Sequence, residues 1–150
     1  MLIATVKAAL SDTVNQPDIL SSSKEKTIYS IEKKVKHYYV IIISDTVVDI
    51  NKLKIEIADY NAKFFSIKNL NTENMLLTSD QHLIIVKNFQ NSEIGIDYYK
   101  SIGVNIKAIP SLTEGKFEEF IISAENFPIL YKEKQVDEYL SFFSTNYLEE

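Results

Sequence analysis

The stretch His37-Tyr-Tyr-Val-Ile-Ile-Ile-Ser44 decides the fold of this chain. Most of its residues are aromatic or β-branched, and it is too short to cross a membrane, so it predicts a β-strand. Neither face of this strand would alternate with polar residues, since one face carries Tyr39, Ile41 and Ile43 and the other carries Tyr38, Val40 and Ile42. We therefore expect a central strand whose two faces are both covered.

Periodic patterns predict the elements that follow this strand. Asp49 is a favourable N-cap, and apolar residues then recur at spacings of three and four from Ile50 to Phe64, which predicts a helix. Met75–Thr78 and His82–Phe89 predict two strands joined by a hairpin turn. Ser92 or Asn91 then caps a second helix, and we expect Gly103 to be its C′ residue.

The last part of the chain adds one strand and one further helix. Phe117–Ser123 predicts the fourth strand, and the apolar spacing from Val136 to Tyr147 predicts a C-terminal helix. The order strand, helix, strand, strand, helix, strand predicts an α+β fold with a ferredoxin-like βαββαβ antiparallel sheet. Its first and third strands would be central, and the added C-terminal helix would cover the second sheet face. This domain spans residues 37–150, after an N-terminal amphipathic helix and linker over residues 1–36.

Composition narrows the possible partners. The 150 residues include 16 cationic and 21 acidic side chains, for a net charge of -5, and every cation is a lysine. A negative chain without arginine is poorly suited to nucleic-acid phosphates and anionic membranes, so we expect no nucleic-acid partner and no direct membrane insertion. The chain has no cysteine, which removes thiolate chemistry and cysteine-based metal sites. Neither a nucleophile arrangement nor a glycine-rich phosphate loop is present, so we expect no enzymatic activity and no cofactor.

Polar residues are expected to gather at one end of the predicted sheet. Asp45 follows the first strand, Asp80 and His82 lie where the third begins, and Glu118 lies where the fourth begins. One histidine among carboxylates could hold a hard cation or transfer protons. Solvated strand ends also collect polar residues, so this rim is a weak candidate site. The other histidine, His37, is predicted to lie at the opposite end of the sheet.

The segment Val104–Lys116 has no regular period and contains Pro110 and Gly115. Connections of this kind usually lie on the surface and often carry binding residues. We therefore expect this segment, with Leu112 and Lys116, and the exposed side of the final helix to be the candidate contacts with a partner protein.

The chain from His37 onward resembles the C-terminal domain of the SprE/PorW-type tetratricopeptide-repeat lipoproteins of Bacteroidota, which serve type IX secretion and gliding motility. The resemblance rests on the order and spacing of aromatic motifs, namely His37-Tyr-Tyr-Val-Ile-Ile, Leu53 to Phe65 with Asp59-Tyr-Asn-Ala-Lys-Phe-Phe65, Val86-Lys-Asn-Phe89 with Asp97-Tyr-Tyr99, Phe120-Ile-Ile-Ser-Ala-Glu-Asn-Phe127, Tyr139-Leu-Ser-Phe-Phe143 and Asn146-Tyr-Leu148.

This resemblance implies a non-enzymatic protein-interaction module that contacts other proteins of a secretion or envelope assembly. It implies a location at the periplasmic side of the outer membrane if the chain is part of such a lipoprotein. The first ten residues lack a basic region, and Lys7 interrupts their apolar run, so the sequence itself predicts no signal peptide. A chain that is the whole product would then be cytoplasmic.

Two other functions remain open from the sequence. SPOR-like domains share the strand and helix order and bind peptidoglycan glycans, which requires an accessible sheet face or groove. A small-ligand or metal site at the acidic rim is the second alternative. The sequence leaves the oligomeric state undetermined.

Overall fold

A computed structural model describes residues 27–66 and 69–148 of the chain. Its contacts divide the chain into two units, residues 1–30 and residues 31–150. The predicted N-terminal helix and most of the predicted linker lie outside the described residues. The second unit contains the sheet and all the elements that follow.

The second unit is an α+β structure built on one four-stranded antiparallel sheet. Its strands and helices, in chain order, are β1 (His37–Ile43), α1 (Ile50–Phe64), β2 (Asn71–Thr78), β3 (Gln81–Phe89), α2 (Ser92–Val104), β4 (Phe117–Ser123), α3 (Phe127–Glu133) and α4 (Val136–Phe143). The strand order is β2-β3-β1-β4, so β1 and β3 are central and β2 and β4 are the two edges.

Both faces of β1 are buried, as its sequence predicts. Tyr39 and Ile41 on one face are fully buried, and so is Val40 on the other. The first of these faces carries α1 and α2. The ring of Tyr39 packs edge-on against Tyr98 of α2, with ring centroids 5.0 Å apart, and Tyr98 in turn contacts Tyr60 of α1 at 6.1 Å. The helices thus cover one face of the sheet through its central strand.

The second face of the sheet is covered by residues of two helices, α3 and α4. In α3, Phe127 contacts Tyr38 at a ring distance of 5.6 Å. In α4, Tyr139 contacts Phe120 of β4 at 4.9 Å, while Phe143 reaches Tyr99 of α2 at 5.3 Å. The expectation that the C-terminal helix simply covers the second face therefore needs correction: α4 lies along the β4 edge, in contact with side chains on both sides of the sheet.

Two other expectations fail for local reasons. Gly103 lies inside α2, which continues to Val104 and is capped by Asn105, and it does not adopt the left-handed conformation of a C′ glycine. The segment predicted to be a surface loop instead forms two 3₁₀ turns, Ile106–Ala108 and Pro110–Thr113. These turns bury Ile109 and Leu112, so the connection belongs to the core.

Candidate functional site

The structure brings the predicted rim residues to one end of the sheet but does not join them into a site. Ile43 at the end of β1 pairs with His82 on one side and with Phe117 on the other. His82 therefore shares the face of Ile43, whereas Glu118, which pairs with Ile42, points to the opposite face. Within the described ranges, no three histidine or carboxylate side chains are grouped so that they could hold a cation.

The remaining rim residues have local roles. The Oδ1 atom of Asp45 accepts a hydrogen bond from the Val47 amide at 3.0 Å. Asp80 lies in the exposed hairpin turn, where its amide donates to the hydroxyl of Thr78 at 3.2 Å. Both arrangements are turn-forming contacts that short polar side chains commonly make.

The neighbouring carboxylate Glu119 faces inward. The Tyr39 hydroxyl donates to its Oε1 atom at 2.6 Å. Burial raises the pKa of Glu119, and the hydrogen bond from Tyr39 partly opposes that rise. Burial also raises the pKa of Tyr39, reinforced by the nearby Glu119 charge. Both groups belong to the packing between β1, β4 and α2.

Leu112 and Lys116, the predicted protein contacts, have different environments. Leu112 is only 3% exposed, and its turn packs against α1. A buried side chain does not present a surface to a partner, so Leu112 is removed as a contact residue. Lys116 is exposed just before β4.

The described surface has a groove beside α1, with a cavity volume of about 700 Å³. One wall is the side of α1 that faces the β2 edge of the sheet, and the other is formed around the start of β2. Its lining residues are Asn51, Lys54, Ile55, Ala58, Asn61, Ala62, Phe65, Ser66, Asn69, Leu70, Asn71 and Thr72. A volume of this size would admit a peptide segment.

The helical wall of the groove follows from the sequence of α1. Asp49 caps the helix by accepting a hydrogen bond from the Lys52 amide at 3.2 Å, and the predicted apolar stripe faces the sheet. Next to that stripe, Ile55, Ala58 and Ala62 share a second face at helical spacing. All three are exposed, and Ile55 is 61% exposed. The short side chains of Ala58 and Ala62 on this exposed face leave room for an incoming chain.

The floor of the groove is fixed by Asn61, whose side chain is buried. The Tyr98 hydroxyl donates to its Oδ1 atom at 2.5 Å, and its Nδ2 atom donates to the Thr72 hydroxyl at 3.2 Å. Burial raises the pKa of Tyr98, so this hydroxyl stays protonated and remains a donor. Asn61 therefore ties α1, α2 and the start of β2 together directly beneath the groove.

The charge of the groove differs from that of the whole chain. Lys54 is the only charged residue among the described lining residues, and its Nζ atom donates to Asn74 Oδ1 of β2 at 3.1 Å. The rest of the lining consists of amide, hydroxyl and apolar side chains. A chain with net charge -5 thus carries a groove that has amide donors and acceptors and one cation.

Sequence reasoning identified α1 but missed the groove. Two features of the sequence point to it, namely a polar Asn61 within the apolar stripe and two alanines on the adjacent face. Neither is specific until β2 is known to begin at Asn71, because the early half of that strand forms the facing wall.

Within the described parts of the chain, none of the helices combines the length and hydropathy that a membrane span requires. Comparisons with family models, with curated proteins and with solved structures gave no match to this chain.

Proposed function

We propose that this chain is a non-enzymatic protein-interaction module and that the groove between α1 and β2 is its binding surface. The observation that carries the proposal is the groove itself, a cavity of about 700 Å³ with exposed Ile55, Ala58 and Ala62 on a rigid helix. Exposed apolar residues beside a preformed depression are typical of surfaces that bind another protein.

The resemblance to the SprE/PorW-type lipoproteins suggests where such a module would act. Its partner would be another protein of a secretion or envelope assembly, at the periplasmic side of the outer membrane if the chain is part of a lipoprotein of this kind. The negative, arginine-free composition also favours a protein partner over a nucleic acid.

We also propose that the sheet and its helices form a ferredoxin-like βαββαβ arrangement. Two observations support this: β1 and β3 are the two central strands, and α1 and α2 pack on the same sheet face. In this arrangement the β2 edge lies beside α1, which accounts for the position of the groove.

One observation favours a second candidate function, the binding of a peptidoglycan glycan in the manner of SPOR domains. Tyr38, Phe127 and Tyr131 form a row of rings on the second face, with successive centroids 5.6 and 6.3 Å apart. Sugar rings pack well on aromatic side chains that are open to solvent. However, Lys134 Nζ already lies 4.4 Å from the Tyr131 ring centroid, so this row is a less open surface than the groove.

The test uses the chain as bait in an envelope extract from a Bacteroidota bacterium. Ala58→Gln places a longer polar side chain in the groove, and Asp59→Gln places the same side chain on an adjacent, exposed position of α1 that does not line the groove. We expect wild type and Asp59→Gln to retain the same proteins and Ala58→Gln to lose them.

Circular dichroism of all three baits is the control for folding. Retention of the same proteins by all three baits would contradict the groove as the binding surface. Recovery of peptidoglycan fragments alone, lost on Tyr131→Ala, would replace the proposal with the glycan-binding function.

A further inference from the structure

The two edges of the sheet differ in how far other elements of the described chain cover them. The β4 edge is lined by α4, and the Tyr139 hydroxyl donates to the Ile121 carbonyl of β4 at 2.6 Å. At the other edge, β2 is hydrogen-bonded to one neighbour, β3, within the described part of the chain, and most of its residues are partly or fully exposed. An edge strand presents main-chain N–H and C=O groups along its outer side.

Proteins usually protect such an edge with proline, with charge or with a bulge. β2 contains no proline and only one charged residue, Glu73. The Glu73 carboxylate pairs with Lys87 of β3 at 3.1 Å, so it points across the sheet and not along the outer edge. The register irregularity of β2 lies between Leu76 and Thr78, beside the hairpin turn, and leaves the strand regular from Asn71 to Leu76.

We propose that the groove binds an extended segment of a partner protein, which adds to β2 as a fifth strand of the sheet. This inference rests on the proposed function, because it specifies how the partner occupies the same groove. Addition of a strand supplies affinity through main-chain hydrogen bonds, and the groove supplies specificity through alternate side chains.

The orientation of the β2 side chains indicates which side chains of the added strand would enter the groove. Thr72 and Asn74 point toward α1, since they bond to Asn61 and Lys54 respectively. Every second side chain of the added strand would point in the same direction and meet the exposed Ile55 and Ala58. Small and medium apolar side chains would pack against Ile55 and fit the space that the short side chains of Ala58 and Ala62 leave.

The positive charge of Lys54 favours an acidic residue in the bound segment. Lys54 is the single charged residue among the described lining residues, and it lies near the middle of β2 through its bond to Asn74. An acidic side chain of the added strand at this position would gain a direct ion pair. The expected ligand is thus an extended, proline-free segment with apolar residues at alternate positions and one acidic residue facing α1.

The positive charge of Lys54 also disfavours pairing of β2 with the β2 strand of a second copy of the chain. Antiparallel pairing of two β2 edges about a two-fold axis would place both α1 helices on the same side of the joined sheet. The two Lys54 side chains would then face each other close to the axis, where like charges repel. A different protein carrying an acidic residue avoids this repulsion.

The probe for this proposal is a phage-displayed library of random eight-residue peptides, selected on the purified chain and in parallel on Ala58→Gln, Asp59→Gln and Lys54→Gln. We expect wild type and Asp59→Gln to select alternating apolar peptides that lack internal proline and share one acidic position. Lys54→Gln should lose the acidic preference, and Ala58→Gln should select no such peptides.

The best peptide is then synthesised with single N-methyl groups at each position in turn. Methylation of amides that face β2 should weaken binding about five- to tenfold each, and methylation of the alternate amides should leave binding unchanged. Amide hydrogen exchange of alternate residues between Asn71 and Leu76 should slow when the unmethylated peptide is bound.

Each contrary result has a distinct meaning. Peptides that are sensitive to Ala58→Gln but show no alternating methylation effect and no slowed β2 exchange would overturn strand addition while leaving the groove as the binding surface. Peptides equally well bound by Ala58→Gln would contradict the groove as well. Failure to select any extended peptide, or a stable dimer in light scattering whose β2 amides are protected without peptide, would also overturn the proposal.

Discussion

The hydroxyl group of Tyr139 lies 2.6 Å from the main-chain carbonyl oxygen of Ile121 and donates a hydrogen bond to it. This contact joins α4 to the edge strand β4, whose one neighbouring strand among residues 27–66 and 69–148 is β1. A side chain thus occupies a main-chain acceptor that a strand of another molecule could otherwise use. The fold closes one sheet edge in this way, whereas in the described part of the chain most residues of the β2 edge are partly or fully exposed beside the groove.

Tyr139→Phe tests the closure of the β4 edge. The substitution keeps the ring contact with Phe120 but removes the donor to Ile121, so we expect a loss of about 1 kcal/mol in the free energy of unfolding. Urea denaturation monitored by circular dichroism measures this loss. Tyr131→Phe is the matched control, because Tyr131 is exposed and should change stability by less than about 0.5 kcal/mol. Equal effects of the two substitutions would contradict the role given to Tyr139.

Asn61→Leu tests the hydrogen bonds beneath the groove. The leucine would leave the buried Tyr98 hydroxyl without the acceptor it has in Asn61 Oδ1, at a cost of about 1–3 kcal/mol in the free energy of unfolding. Asn51→Ala provides the control, since Asn51 lines the groove from an exposed position on the same helix. A variant as stable as wild type in urea would show that the Asn61 contacts do not hold the floor of the groove.

Gly103→Ala distinguishes the observed helix from the predicted helix end. Gly103 has ordinary helical geometry, and a Cβ atom there would meet nothing within 4 Å. Because alanine favours a helix over glycine, we expect stabilisation of about 0.5–1 kcal/mol. A C′ glycine in the left-handed region would instead make the same substitution destabilising. Thermal unfolding measures the difference, and Gly95→Ala should show no comparable gain because its Cβ would lie 3.3 Å from Ile121 Cδ1.

The stability of the chain should depend on pH through His37. Its Nδ1 atom donates to the Val35 carbonyl at 2.8 Å, and its Nε2 atom then accepts from the Tyr147 hydroxyl at 2.9 Å. Burial lowers the pKa of His37 below 6.5, and the backbone hydrogen bond to Val35 partly opposes that shift. Since the unfolded chain binds the proton more readily, this contribution to stability is complete above pH 6.5 and is lost as the pH falls through the folded pKa.

The measurement compares urea unfolding between pH 5 and 8 for wild type, His37→Gln and His82→Gln. We expect the decline below pH 6.5 to be reduced in His37→Gln and retained in His82→Gln. An unchanged pH profile in His37→Gln would contradict the account of this buried pair.

The strands with continuous apolar character could be predicted from the sequence. Phe117–Ser123 has the predicted bounds, and β1 differs only in ending at Ile43. β2 was predicted to begin at Met75, although it begins at Asn71. Its first residues are polar and partly exposed, because an edge strand beside a helix does not need an apolar face there. Periodicity alone therefore does not reveal the half of the strand that lines the groove.

Local sequence patterns also could not predict that Leu112 is buried. Its turn is held against α1, where the Ser111 amide donates to Glu56 Oε1 at 2.9 Å. This contact joins residues that are far apart in the chain, and a segment without regular period gives no sign of it. The placement of the rim residues was out of reach for a related reason, since it is strand pairing that puts His82 and Glu118 on opposite faces.

The most direct test of the central claim is nuclear magnetic resonance mapping of the partner on the chain. A ¹⁵N-labelled sample is titrated with a protein recovered by the wild-type bait, and the changes in amide chemical shift are followed residue by residue. We expect the largest changes on the groove side of α1 and on β2 from Asn71 to Leu76. Changes concentrated on Tyr38, Phe127 and Tyr131, or around Lys116, with α1 and β2 unaffected, would contradict this claim.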